Sequence, residues 1–550
     1  MLDSYSFTEL KFNPLFSALA EGTELARKFY PEISALPEAV RQTASRVTQF
    51  YNQDENRRKK IFDILSEIHP YKNEQSVQNS LELVLDKRTV LVVSGQQPCV
   101  LGGPLFSLVK ALSTITLARK LNDQVKDFRF VPLFWVSGMD HDFEEVRDFY
   151  FIESSGKLRT FSLNRPPNTE GFPLSRVMLD KDSELRVKEV VQNMGKISEV
   201  NTSILESYKS GESITSAFIK LYAQILGKFG LLFIDPENDK AKDLASPLIS
   251  ESIETWEKQY ECVKESTDKI QKLAIPPQIY LKENETNLFL LDEKGRRRKL
   301  VYSGNHFALK PFKDGDDNPT FSKDEILNLA KNEPGRFSFN VLLRPLYQQY
   351  VFPVVIYVGG PSEVAYWAQL YPLFDISNLP RPLLVPRPSV TLIPSRLKRI
   401  SDKFKVSLTD LLIPNHELIR RIFEKEIPDG IEEGMLELRN TFLDRASKLG
   451  KKAKLVDQNL ESVFRTLTKG FDSYLSKMKK KVVKAIRNKN EKIVEQVDSL
   501  YEFLMPNGQL QERVISGTYF LNRYGDQLIE MLIASFEFPP NKHKVLEVCG

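Results

Sequence analysis

Three polar segments of this 550-residue chain carry residue types able to do chemistry, each placed where an apolar run gives way to a helical pattern. The first is Ser94-Gly95-Gln96-Gln97-Pro98-Cys99-Val100-Leu101-Gly102-Gly103-Pro104, with glycines, two amides and a proline suited to a first helical turn. Backbone N–H groups in such a turn suit a phosphate or carboxylate, so Gly95, Gln96, Gln97, Gly103 and Pro104 are candidate nucleotide contacts. The spacing is neither a Walker A loop nor a G-x-G-x-x-G fingerprint, and a structural turn is the competing reading. The second segment, Trp135-Val136-Ser137-Gly138-Met139-Asp140-His141-Asp142-Phe143-Glu144-Glu145, sets three ionisable groups in a row. Asp142 with Glu145 reads as a capping box for a following helix. Asp140 and His141 are the catalytic candidates, because an imidazole there can orient a phosphate or take a proton from an attacking amine. The third segment, Gly359-Gly360-Pro361-Ser362-Glu363, opens the helix Val364-Ala365-Tyr366-Trp367-Ala368-Gln369. Glu363 in a first turn suits the helix dipole. Tyr366 and Trp367 are adjacent, so one faces the core and the other a pocket. Arg344 stands in the apolar run Asn340–Leu346, where a guanidinium binds a carboxylate or phosphate or forms a buried ion pair.

The elements that must position these residues read as an α/β fold. Short β-branched or aromatic runs, each followed by a loop and a helical pattern, predict a mainly parallel, doubly wound sheet. The runs are Thr89–Val93, Phe128–Val136, Leu231–Ile234, Val354–Val358 and Leu383–Val385. A helix is expected from about Leu105 to Leu121, and another whose end is marked by Gly227 and Gly230. The stretches from about Phe149 to Asn164 and from Gln278 to Phe312 alternate like hairpins, with turn residues such as Glu293-Lys294-Gly295, and predict β-rich insertions within about 149–200 and 278–312.

From about Glu432 to Leu504 no proline occurs. Apolar residues recur at Phe442, Ala446, Leu449, Ala453, Val456, Leu460, Val463 and Leu467, then from Phe471 through Leu475, Met478, Val482 and Ala485. Alternating steps of four and three predict a coiled-coil seam with a register slip near Gly470. The partner is a second helix of the same chain or the same helix of another copy. Lysines such as Lys477, Lys480, Lys481 and Lys484 read as a solvated face rather than a nucleic-acid stripe. Lys477-Met478-Lys479-Lys480-Lys481 superficially resembles a KMSKS loop but falls inside the heptad pattern. The expected organisation is a core over 1–395, a helical domain over 396–505 and a segment over 506–550 returning to the core.

Bulk composition narrows the function classes. A 41% hydrophobic, 27% charged chain without an uncharged apolar run of about 18 residues predicts a globular rather than membrane-spanning protein. The opening Met1–Ser6 lacks a basic region and apolar run. Three distant cysteines (Cys99, Cys262, Cys549) argue against a disulfide framework and fit a reducing cytoplasm. No Cys-x-x-Cys or His-x-x-x-His spacing suggests a structural metal, and a net charge of +4 gives no general case for nucleic acid.

Taken together the segments resemble the BshC family, described as cysteine ligases of bacillithiol biosynthesis. The resemblance rests on Ser94-Gly95-Gln96-Gln97 with Gly103-Pro104, and on Phe134-Trp135 with Asp140-His141-Asp142. It continues through Asn340–Pro345, Tyr357–Gln369 and Pro506–Arg513. Ser94 stands where the family commonly has threonine, Pro98-Cys99 where small residues are expected, and Gln349 where an acid is frequent. The resemblance implies a Rossmann-like core related to class I nucleotidyltransferases and synthetases, with a C-terminal coiled coil that makes a homodimer. It also implies the substrates: cysteine, joined as an amide to the amine of glucosaminyl-malate. Forming an amide from a free carboxylate is uphill in water, so ATP with Mg²⁺ is the expected activator. On this reading a nucleotide or phosphate lies over Gly95-Gln96-Gln97 and the helix opening at Gly103-Pro104. His141, assisted by Asp140, contacts phosphate or serves as base. Glu363 near Gly359-Gly360 holds an ammonium, Tyr366 or Trp367 forms a wall, and Arg344 pairs with a carboxylate. The competing readings are a nucleotidyltransferase acting on another small molecule and a non-enzymatic coiled-coil interaction protein.

Overall fold

The computed structural model describes residues 4–31, 36–71, 73–195 and 198–549. Met1–Asp3 of the opening segment, and residues 196 and 197 of the first expected insertion, lie outside the described residues. The chain forms two compact units, one from residues up to Leu392 plus Leu510 onward, the other from Ile393–Gln509.

The core of the first unit is a five-stranded, wholly parallel sheet built from the predicted runs: β1 (Thr89–Gln96), β2 (Arg129–Val136), β3 (Leu232–Ile234), β4 (Val354–Gly359) and β5 (Leu383–Pro386). Their lateral order is β5-β4-β1-β2-β3. The chain winds outward from β1 in one direction, then returns to β1's other side, so a topological switch point lies between β1 and β4. Val90–Val93 and Val354–Val358 are buried on both faces, as a parallel sheet covered by helices requires, so these runs are continuously apolar rather than alternating. Ser94 Oγ donates to Val358 O at 2.7 Å, tying the two strands beside the switch.

Helix α1 (Leu105–Gln124) connects β1 to β2 and is buried almost all round. Three of its buried hydroxyls (Ser113, Thr114, Thr116) donate to carbonyls four residues back, at 2.5–2.8 Å, and so are satisfied within the helix. Asn122 closes the connection by pairing with both N–H and C=O of Phe130 at the start of β2. Helix α2 (Ile214–Leu226) precedes β3, with Gly230 in the left-handed region at φ +74° where the chain turns into the strand. Helix α3 (Pro361–Leu370) follows β4, with Pro361 in its first turn.

Both insertions exist, with altered extents. Asp148–Ile152 pairs with Leu158–Ser162 in a hairpin, but the rest of the first span holds helices Lys181–Asn193 and Glu199–Ser207. The second is a five-stranded antiparallel sheet running from Glu285 to Phe339, beyond the expected end at 312. Its tight turn at Glu293-Lys294-Gly295 is fixed by Asp292 Oδ1, which accepts from the N–H groups of Lys294 and Arg296. A small third sheet joins Ser4–Tyr5, His543–Val548 and Val390–Pro394, bringing together segments more than five hundred residues apart in the chain.

In the second unit, helices α4 (Ile431–Ala453) and α5 (Leu460–Lys489) form an antiparallel hairpin within the chain. Phe442 stacks on Phe471 with ring centroids 3.9 Å apart, and Arg439 pairs with Asp472 at 2.7 Å. The single seam read through Val456 is therefore corrected. The chain turns at 454–459, where Asp457 Oδ1 accepts from Asn459 N at 2.8 Å, and Val456 is 84% exposed. Past the turn, Phe464 rather than Val463 faces α4, lying against Gly450. The Lys477–Lys481 stretch lies within α5, as the heptad pattern predicts. Lys477, Lys480, Lys481 and Lys484 are exposed, as the solvated-face reading expects, and Lys480 and Lys484 border a cavity of about 880 Å³ with Ile419, Phe423 and Val483. Among the described residues no helix is long and apolar enough to cross a membrane.

Candidate functional site

In open parallel sheets the crevice outside the strands' carboxyl ends, at the switch point, is where ligands bind. Here the switch lies where β1 ends at Gly95-Gln96 and β4 at Gly359. Sequence reasoning passed over the residue at its centre, Lys110 of α1. Its ammonium donates to Gly95 O at 2.8 Å and Gln96 Oε1 at 3.1 Å, and sits 2.6 Å from Glu363 Oε2. Glu363 also accepts from Gly360 N at 2.7 Å and from the Tyr357 hydroxyl. Burial by itself would push the Glu363 carboxyl up, but Lys110, Tyr357 and the Gly360 N–H outweigh it and hold the group below its ordinary range. Burial also draws the Lys110 ammonium down, with Glu363 opposing. Glu363 is thus already paired with an ammonium of its own chain, which corrects the expectation of an open carboxylate awaiting a substrate amine.

The second half of the site joins the first through adjacent amides. Gln97 Nε2 donates to Asp140 Oδ2 at 2.9 Å and to Glu145 Oε2 at 2.7 Å, beside the Gln96 held by Lys110. Asp140 Oδ1 accepts from His141 N at 2.7 Å, and His141 Nδ1 lies 3.2 Å from Arg297 Nη1. Burial would raise the Asp140 carboxyl, yet the His141 contact and the Arg297 guanidinium hold it well below the usual carboxylate range. Arg297 comes from the antiparallel insertion, which sequence alternation identifies without assigning it a part in the site. Asp142 accepts from the N–H groups of Glu144 and Glu145, but these residues form a turn leading directly into the strand at Asp148, so the predicted helix is absent.

Arg344 is buried, donating to Tyr366 Oη at 2.7 Å and Gln348 Oε1 at 3.2 Å, with no carboxylate in ion-pair range among the described residues. Trp367 is corrected from pocket wall to core: it is fully buried, stacked on Tyr357 and Phe374 at centroid distances of 5.1 and 5.9 Å. Gly103 and Pro104 are corrected too. The Leu105 N–H at the head of α1 donates to Ile515 O at 2.8 Å, and Gly517 N to Gly103 O at 2.9 Å, so the returning C-terminal segment covers this helix end. Gly95 serves packing, since a Cβ there would lie 2.7 Å from Trp135 O on β2. Burial pushes the Cys99 thiol up to about 12, leaving it unreactive beside the site.

The helix end that does remain open is that of α3. Pro361 has no N–H, and the N–H groups of Ser362 and Glu363 meet no protein acceptor among the described residues. Gly360 leaves room next to Arg387, whose Nε is buried without a hydrogen-bond partner, 3.5 Å from where a Gly360 Cβ would stand. The rest of that guanidinium grips Glu512 with two bonds, at 2.7 and 3.0 Å. Arg387 carried a sequence signal, an arginine between two prolines at a strand end, and Glu512 lies in the Pro506–Arg513 stretch. A separate cavity of about 380 Å³ opens at the end of β3, where burial lifts the Asp235 carboxyl to about 6 and Ser175 Oγ donates to it at 2.9 Å.

Comparison with known proteins agrees with this architecture. The profile described as the bacillithiol biosynthesis BshC N-terminal Rossmann-like domain matches residues 3–388, and that of the BshC C-terminal coiled-coil domain matches 390–548. Proteins named "Putative cysteine ligase BshC" are similar along most of the chain. That of Desulforamulus reducens is 26% identical over 471 residues, covering 85% of this chain and 86% of its own. That of Salinibacter ruber is 28% identical over 491 residues, 86% of each chain. One from Staphylococcus aureus is 30% identical over 461 residues, 80% of this chain and 81% of its own.

Proposed function

This chain belongs to the BshC family of bacillithiol biosynthesis, and on that premise we propose that it joins the carboxylate of cysteine to the amine of glucosaminyl-malate as an amide. The observation that carries the reading is the linked set of polar contacts at the switch point, running from Arg344 through Tyr357, Glu363 and Lys110 to Gln96, and from the adjacent Gln97 to Asp140 and His141. ATP with Mg²⁺ supplies the activation that a free carboxylate needs. The residues present suit its phosphate end: two unpaired N–H groups at the head of α3, the Lys110 ammonium, and the buried Arg387 Nε. Arg344, a buried cation without a carboxylate partner, takes a substrate carboxylate. Gln96 and Gln97 hold the two halves of the crevice in register, and Asp140 with His141 faces the reacting groups. The protein works in the cytoplasm, as a homodimer. The exposed apolar side chains of α4 and α5 (Leu436, Leu449, Val463, Leu467 and Met478) support a second copy packing there.

The test is direct. The purified chain, given cysteine, glucosaminyl-malate, ATP and Mg²⁺, is expected to form bacillithiol, detected by mass spectrometry, and to form none without ATP. Product that is independent of ATP, or no product with every component present, overturns the reading.

A further inference from the structure

We propose that the antiparallel insertion is part of the site, because its Arg297 fixes His141 as the tautomer protonated on Nε2 and so makes His141 a hydrogen-bond donor rather than a base. The acceptor is an anionic oxygen of the bound substrates, phosphoryl or carboxylate; that identification rests on the ligase reading, whereas the state of the ring does not.

The argument starts from what a guanidinium can do. Arginine has five N–H donors and no acceptor, so any nitrogen it bonds must offer a lone pair. Arg297 is 6% exposed and held from several sides. Nε donates to Ser338 Oγ and Nη2 to Phe339 O, both at 2.9 Å, while the guanidinium carbon stands 3.6 Å from the Phe289 ring centroid. That leaves Nη1 fixed 3.2 Å from His141 Nδ1. A proton on Nδ1 would confront a cation at that distance, so the lone pair belongs on Nδ1 and the proton on Nε2.

Among the other charged groups, Asp140 Oδ1 is 3.5 Å from Nδ1, farther than Arg297 Nη1, and its charge is met by that same Nη1 at 3.6 Å; Oδ1 also accepts the His141 backbone N–H at 2.7 Å, and Oδ2 accepts from Gln97. Arg165 donates to the His141 carbonyl at 2.8 Å, setting a second guanidinium beside the residue, and Asp142 is turned to solvent. The His141 side chain is 34% exposed, and among the described residues no protein group accepts from Nε2. Its N–H is therefore available to the crevice. The proton lost by an attacking amine must then go to another acceptor.

Only five histidines occur in the chain, so nitrogen-15 NMR of the histidine-labelled protein can resolve this ring, with His141→Asn assigning its signals. At pH 7 the expected spectrum has an unprotonated Nδ1 and a protonated Nε2, and Arg297→Met moves the proton toward Nδ1, facing Asp140. A protonated Nδ1 in the unaltered protein overturns the proposal, whether or not the protein turns over substrate. The activity arm is separate. His141→Gln, whose amide N–H reaches near the Nε2 position, is expected to lose less than about tenfold in kcat/KM, against about a hundredfold or more for His141→Ala. Glutamine as damaging as alanine, with the ring state as expected, rejects the donor role. A protein without ligase activity in any form leaves the spectrum to decide the ring, and sinks the ligase reading instead.

Discussion

Two histidines of the first unit should make it acid-sensitive well above the carboxylate range. His543 is fully buried between Ser389 Oγ, 2.8 Å from Nδ1, and Thr391 Oγ1, 2.9 Å from Nε2. His69 is buried against Leu231 O. Burial lowers both from 6.5 to about 4. Between those values the unfolded chain binds protons that the folded chain excludes, so their contribution is complete above about 6.5 and drains away as pH falls toward 4. At 1.36 kcal/mol per unit, the 1.5 units between 6.5 and 5 amount to roughly 2 kcal/mol for each histidine. Asp235 works in the opposite sense. Its carboxyl is raised to about 6, so the folded state takes up a proton more readily and regains roughly 1 kcal/mol by pH 5. The net expectation is a loss of roughly 3 kcal/mol between pH 7 and pH 5. All three tryptophans (Trp135, Trp256, Trp367) lie in this unit, so urea titrations followed by intrinsic fluorescence report on it specifically. His543→Gln removes one titrating group, and its pH 7 to pH 5 loss should shrink by roughly 2 kcal/mol. An unchanged loss in that variant would refute the assignment of the sensitivity to the buried ring.

Other perturbations have equally definite outcomes. Glu512→Gln leaves the Arg387 guanidinium buried without its counter-charge and should cost about 3 kcal/mol in the same urea assay, while Glu512→Gln with Arg387→Met should cost less than the two singles added. Lys110→Met removes the cation from the crevice. Loss of about a hundredfold in bacillithiol formation is expected, with near-normal far-ultraviolet circular dichroism, and full activity would remove Lys110 from the site. Leu467→Glu places a charge on the exposed apolar face of α5 and should shift the sedimentation coefficient from dimer to monomer, provided the helices associate as proposed.

The core sheet was legible in sequence because its five strands are buried on both faces, which writes them as apolar runs ended by serine, aspartate, glycine or proline. Three segments at the strand ends were legible for the same reason: polar residues directly after such runs have few structural excuses. What escaped is what depends on residues far apart in the chain. Lys110 sits in a helix whose pattern is uniformly buried, and nothing local distinguishes a lysine that will pair with Glu363, more than two hundred positions on. Gly103-Pro104 has the look of an open anion site, and only the return of Ile515–Gly517 over it closes that end. Trp367 and Tyr366 could not be separated by spacing alone, since adjacency says only that they diverge. The false continuity of the coiled-coil seam arose because heptad spacing persists across the 454–459 turn, where Asp457 and Asn459 carry the break.

The pairing of Ser4–Tyr5 with His543–Val548 has a consequence for how the protein is made. Ser4–Tyr5 emerges from the ribosome more than five hundred residues before its partner, and Glu512 and His543, which complete the buried network around Arg387, follow Arg387 by more than a hundred residues. The first unit therefore cannot close until His543–Val548 has been made, and a chain stopped before Glu512 leaves Arg387 uncompensated. Residues 393–509, by contrast, form an internal excursion whose flanks, Leu392 and Gln511, are hydrogen-bonded to each other through both groups of the glutamine amide. Because those flanks are already held together, a shortened chain bridging Leu392 to Leu510 is expected to retain the whole first unit.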